Sequence, residues 1–163
     1  MPVLEGACHC GTISVRFETD LTPDSIPVRA CACSFCRAHG ASTVSDPAGH
    51  LTIQIGEPDV AQRYRFGLRT ADFLVCGRCG VYVAAVLPDR QGAVAIVNAN
   101  TFDAGPPRGD PGTPVSYYGE TEAERRAPGG VTSGHRSPWS TPARNSNTNK
   151  AKGGGPWPPT AQS

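Results

Sequence analysis

Three thiols fall within six residues at Cys31-Ala32-Cys33-Ser34-Phe35-Cys36, close enough together for one metal ion to take all three. The chain holds seven cysteines, and the remaining four form two short pairs, Cys8-His9-Cys10 and Cys76-Gly77-Arg78-Cys79. Thiolates surround zinc as a tetrahedron at about 2.3 Å, and two of them one or two residues apart can bind the same ion where the backbone turns. The triplet is too tight to serve two ions. The economical division is therefore one zinc on Cys8, Cys10, Cys76 and Cys79 and a second on Cys31, Cys33 and Cys36.

These two expected sites differ in kind. Four thiolates close a structural site, and Gly77 and Gly80 suit the tight, positive-φ turn that such a knuckle needs. Three thiolates leave one tetrahedral position open, which is the mark of catalytic zinc. They also donate three negative charges, which blunts the acidification of bound water that three neutral imidazoles would allow. A thiol is the better occupant, because it gives up its proton readily and remains nucleophilic towards a carbonyl carbon. Addition of a small-molecule thiol to an aldehyde, or the reverse cleavage, is the expected chemistry. Arg37 and His39, just past Cys36, are the candidates to offset charge or move a proton. Two other readings stand beside this one. His9 or His39 would complete the triplet's shell in a non-catalytic, zinc-stabilised binding module, or the triplet would act as a redox-sensing thiol cluster. His50 and His135 stand alone and read as solvated side chains.

The elements that position these thiols read as strands. Residues 12–18 alternate strictly, with Ile13, Val15 and Phe17 on one face, and residues 51–55 and 63–66 repeat the pattern. Residues 73–75, 81–87 and 93–97 are short apolar runs of the kind found in strands buried on both faces. Helical signals are confined to one turn at 34–39 and a short acidic-then-basic segment at 119–127. The expectation is an all-β chain, a single small zinc-bound β-sandwich-like domain with a barrel as the alternative.

Composition bounds the rest. Ten of the 16 prolines lie past residue 105, so a zinc-binding catalytic domain is expected over 1–105, with a linker and short helical extension over 106–127. Residues 128–163 are dominated by Gly, Pro, Ser, Thr and Asn and read as a disordered tail. Residues 1–127 carry 11 basic against 14 acidic side chains, a net of −3, which is a poor basis for gripping phosphates; no nucleic acid partner is expected. The apolar run at 81–87 is far short of the roughly 20 residues that cross a bilayer, so no membrane association is expected. Without a basic start or an apolar run before Cys8, and with clustered thiols, the expected compartment is the reducing cytoplasm.

With those motifs in order, Gly6-Ala7-Cys8-His9-Cys10-Gly11, Cys31-Ala32-Cys33-Ser34-Phe35-Cys36-Arg37 with Gly40, and the run from Phe73 to Cys76-Gly77-Arg78-Cys79-Gly80, the sequence resembles the glutathione-dependent formaldehyde-activating enzyme family, whose domain is shared with centromere protein V. The resemblance runs from about Gly6 to Asp103, with residues 97–103 similar to the family's closing strand. It implies an all-β zinc fold, a structural ion on Cys8, Cys10, Cys76 and Cys79, and a catalytic ion on Cys31, Cys33 and Cys36. It further implies a carbon-sulfur lyase that condenses formaldehyde with glutathione to S-hydroxymethylglutathione. The chain departs from the family at Val81, where members often carry Thr or Ser, and no segment matches a glutathione-binding motif.

Overall fold

The computed structural model describes residues 2–89, 92–107 and 112–126; the tail expected over 128–163 lies outside them. Ten strands follow in chain order: β1 Val3–Ala7, β2 Ile13–Glu18, β3 Val28–Cys31, β4 Ser42–Val44, β5 His50–Ile55, β6 Ala61–Tyr64, β7 Asp72–Cys76, β8 Tyr82–Asp89, β9 Gly92–Asn98 and β10 Thr113–Val115. Two five-residue helices, α1 Ser34–Ala38 and α2 Glu122–Arg126, join them. One sheet runs β1-β2-β5 and is antiparallel throughout. The other runs β10-β3-β4-β9-β8-β7-β6, with β10 beside β3 as its parallel pair.

The alternation on β2 does what its period demands. Ile13, Val15 and Phe17 are buried in the main core, while Arg16 on the other face pairs with Glu5 at 2.7 Å and Glu18 at 3.2 Å. From the opposing sheet Leu74, Val83, Val86, Ala95 and Val97 reach the same core, so the two sheets pack through it. β8 and β9 lie in the middle of the larger sheet, which is why residues 83–87 read as one unbroken apolar run.

Four strands have no legible sequence signal: β1, β3, β4 and β10 are three to five residues long, and Glu5, Gly6, Arg29, Ser42 and Pro114 break any apolar period. Tertiary pairing forms them. The strand expected at 63–66 lies two residues earlier, at Ala61–Tyr64, because Phe66 leaves the ladder to pack on Phe35 and Phe73. The closing strand expected over 97–103 ends at Asn98, and Ala99–Thr101 form a 3-10 turn in which the Asn98 side chain accepts a hydrogen bond from Asn100 N at 3.2 Å. Within the segment expected as linker and helical extension, 106–127, lie both β10 and α2.

β1 crosses the turn after β9 at Gly6, which bridges to Phe102. A Cβ on Gly6 would stand 2.0 Å from the Thr101 carbonyl oxygen and 2.6 Å from the Phe102 Cα, both backbone atoms that cannot swing aside. Gly6→Ala is therefore expected to force the two segments apart and destabilise the fold by about 3 kcal/mol, at the upper end of overpacking costs. Thermal unfolding measures this, and a melting temperature within one degree of wild type would contradict the close crossing.

Candidate active site

The seven cysteines divide in space as four and three. All are free thiols, and in each group the sulfurs lie within 4.8 Å of one another. The four come from loops of different sheets: Cys8 and Cys10 from the β1–β2 connection, Cys76 and Cys79 from the β7–β8 connection. Cys10 Sγ stands 3.6 Å from both Cys8 Sγ and Cys76 Sγ. A zinc tetrahedron with 2.3 Å bonds has sulfur–sulfur edges of about 3.8 Å, so this spacing suits a shared ion. A disulfide would need about 2.05 Å.

Backbone geometry prepares this group for charge. Ile13 N donates to Cys8 Sγ at 3.3 Å, and Gly80 N to the Cys76 carbonyl at 2.7 Å. Of the two knuckle glycines, only Gly80 takes positive φ, at 76°. Gly77 is needed for closeness instead: its N–H donates to Val60 O at 2.7 Å, and a Cβ there would meet Gln62 Nε2 at 3.0 Å. Arg78, which the sequence reading passed over, donates to Thr12 Oγ1 at 3.1 Å and to both Glu57 oxygens, and its ionised form is favoured first by Glu57 and also by Cys10 and Cys76. Burial pushes the Cys8 thiol up to about 12, while the Thr12 hydroxyl draws Cys10 down to about 6. Cys10 thus ionises readily, while burial holds the protons on Cys8 and Cys76.

The three-thiol group is built by a strand end and one helical turn. Cys31 closes β3, Cys33 caps α1, accepting a hydrogen bond on its sulfur from Cys36 N at 3.4 Å, and Cys36 is buried inside the turn. The link between them is pinned by β10, since Ala32 N donates to Val115 O at 2.8 Å. Asn100 Nδ2 holds the exit of α1 by donating to Gly40 O at 2.8 Å. The hydrogen bond with Cys36, aided by Cys33 and the positive charge of Arg125, brings the Cys31 thiol down to about 6, against burial. The same bond and burial push Cys36 up.

Aromatic side chains wall this group. Phe35 is surrounded by Phe73, Tyr82, Phe66 and Tyr64 with ring centroids 4.9, 5.1, 5.4 and 5.7 Å away. Arg65 holds the Tyr64–Phe66 side of the wall through a two-point pair with buried Asp72, Nη2 to Oδ2 at 3.1 Å. Tyr82, Ala85, Ile96 and Cys36 form a second, smaller buried cluster, with Cys31 and Cys33 packed against it. A β-bulge puts Tyr82 there. Val75 pairs with Tyr82 but Leu74 with Ala84, so one extra residue sits in β8, and Tyr82 faces the thiols although Ala84, two positions on, faces the main core. Burial first, then charge on Cys36, Cys31 and Cys33, pushes Tyr82 well above the usual phenol range.

The candidate residues past the triplet stand at its edge. Arg37 and His39 are both exposed; the His39 ring packs 4.5 Å from Phe35 and 5.8 Å from Tyr82. Neither His9 nor His39 joins a thiol group among the described residues. The cation acting on Cys31 is Arg125 of α2, brought back by β10 and bonded to Tyr117 O at 3.4 Å. Sequence reasoning missed Arg125, Tyr117 and Tyr82, because each is far along the chain from the triplet. The acidic-then-basic order of 119–127 was the one available signal for Arg125.

Comparison with known sequence families matches residues 3–118 to the glutathione-dependent formaldehyde-activating enzyme. The chain belongs to that family. A crystal structure of a Rhodobacter sphaeroides protein is similar, at 30% identity over 68% of this chain and 97% of that one, with a TM-score of 0.50. No curated protein matches the chain. Family membership links the chain to glutathione-related formaldehyde activation, and both thiol groups are compatible with the zinc expected from the sequence. Among the described residues no helix is long and apolar enough to cross a membrane.

The unequal embedding of the two groups predicts unequal consequences of removing a ligand. Cys33→Ser is expected to lower the metal content by about one ion per chain while the fold remains. Cys76→Ser is expected to lower both metal content and thermal stability, because it unties two sheets. Elemental analysis beside circular dichroism checks this, and equal melting temperatures for the two variants would contradict it.

Proposed function

We propose that the protein is a zinc-dependent carbon-sulfur lyase and synthase that joins an aldehyde to a small-molecule thiol such as glutathione and cleaves the adduct, working in the cytoplasm with two zinc ions per chain. The observation that carries this reading is a group of three thiols with no fourth ligand among the described residues, set beside a buried aromatic cluster. Cys8, Cys10, Cys76 and Cys79 hold the structural ion in this reading, and Cys31, Cys33 and Cys36 the catalytic one. Zinc in the second group supplies, when bound, the positive charge that lets an incoming thiol shed its proton.

The chemistry balances without a redox partner. The thiol sulfur's electron pair forms the bond to the carbonyl carbon, the carbonyl π pair moves onto oxygen, and the thiol's proton ends on that oxygen. The chain's own residues manage charge and water. Arg125 offsets the negative charge of the thiolates from the α2 side. Phe35, Phe66 and Phe73 exclude water from one side of the group. In this reading exposed His39 carries the thiol's proton to that oxygen and exposed Arg37 adds positive charge at the rim.

NMR of formaldehyde with glutathione tests the reaction directly. The zinc-loaded protein is expected to speed adduct formation, to lose that effect on mild chelation and to regain it on adding zinc. A rate unchanged by the protein would reject this substrate pair. The competing reading, a closed binding module, is separated by cobalt substitution: d–d bands that move on adding thiol mark an open position, and unmoved bands mark a closed one.

A further inference from the structure

Tyr82 carries a polar atom that nothing above uses. The residue is 1% exposed, and its hydroxyl has no hydrogen-bond partner among the described residues. A buried hydroxyl left unpaired costs stability, and phenylalanine would fill the same space without that cost. Its surroundings are the rings of Phe35, Phe73 and His39, 5.1, 5.8 and 5.8 Å from its own, and Cys36 in the same buried cluster, with Cys31 and Cys33 packed against it.

The fold also works to hold this residue where it is. The bulge at Val83 turns Tyr82 away from the main core and towards Cys36, at the loss of regular pairing in the middle of the sheet. The Tyr82 carbonyl is fixed by Asn98 Nδ2 at 2.9 Å, and the knuckle of Cys76 and Cys79 immediately precedes the strand. A donor held this firmly, in a dry place, suits a charge that develops only during reaction.

We propose that the Tyr82 hydroxyl donates a hydrogen bond to the aldehyde oxygen as the carbon–sulfur bond forms beside Cys31, Cys33 and Cys36, and to the same oxygen in the adduct. This makes Tyr82 a catalytic residue, and it rests on the thiol–aldehyde reading above. Tyr82 keeps its own proton throughout; the proton that ends on the product oxygen is the thiol's.

The test compares Tyr82→Phe with wild type in the full chain. With formaldehyde and glutathione, kcat of the zinc-loaded variant is expected to fall about 100-fold, the loss usual for one oxyanion donor, while KM for glutathione stays unchanged. The metal-free variant is expected to melt at the wild-type temperature or a few degrees above it, since an unpaired hydroxyl has been removed. In the cobalt-substituted variant the thiolate charge-transfer band and the response to glutathione are expected to match wild type. An undiminished kcat would overturn the inference. So would a lower melting temperature or a shifted charge-transfer band, because the hydroxyl would then serve the fold or a ligand sulfur in the resting protein. If the wild-type cobalt bands ignore glutathione, the thiol reading itself fails and takes this inference with it. Bands that respond beside equal rates for the two proteins remove Tyr82 alone.

Discussion

Four sulfurs drawn from two hairpins meet between the smaller sheet and the larger one, and a zinc ion shared by them would tie the two sheets together. Cys8 and Cys10 sit where β1 turns into β2, and Cys76 and Cys79 where β7 turns into β8, so 66 residues separate Cys10 from the Cys76 sulfur 3.6 Å away. An ion shared across that contact would close a long loop and add to what the main apolar cluster supplies. Arg78, itself held by Glu57, is the cation whose charge Cys10 and Cys76 favour. The same knuckle leads directly into the start of β8, where Tyr82 stands.

The three-thiol group depends on contacts of a different kind. Its sulfurs come from six consecutive residues, and local backbone geometry suffices to gather them: the end of β3, a cap at Cys33 and a single turn. What local geometry cannot supply is its environment. The aromatic wall is assembled from α1, the β6–β7 hairpin and β8, and the nearby cation arrives from α2. Arg125, paired with Glu120 at 3.7 Å, adds its positive charge to the thiols from the α2 side. Residues 113–126 thus return to the triplet through the Ala32–Val115 hydrogen bond and the charge of Arg125, although their composition reads as a connection.

The bulge in β8 shows how a small irregularity serves function. Strict alternation would have put Tyr82 on the side of Ala84, in the main core. One extra residue sends the side chain to the other face and leaves its hydroxyl unpaired beside thiols. Features that cost stability without a structural return tend to gather at working sites.

The sequence by itself determined the thiol arithmetic and most of the strands. Seven cysteines at these spacings divide only one way economically, the alternation on β2 and β5 declares which face is buried, and the apolar runs of β8 and β9 mark strands buried on both faces. The short helix at α1 was legible too, since its spacing of thiols requires a turn. Tertiary structure decided the rest: the strands β1, β3, β4 and β10, which are too short to carry a period and exist because a neighbour pairs with them; the crossing at Gly6; and the company of the triplet. Tyr82 joins the cluster of Cys36 across 46 residues, Arg125 acts on Cys31 by charge from farther still, and the side on which Tyr82 stands depends on a register shift between two strands. Register is a property of the pair and not of either strand, so no reading of one strand's residues could have assigned it.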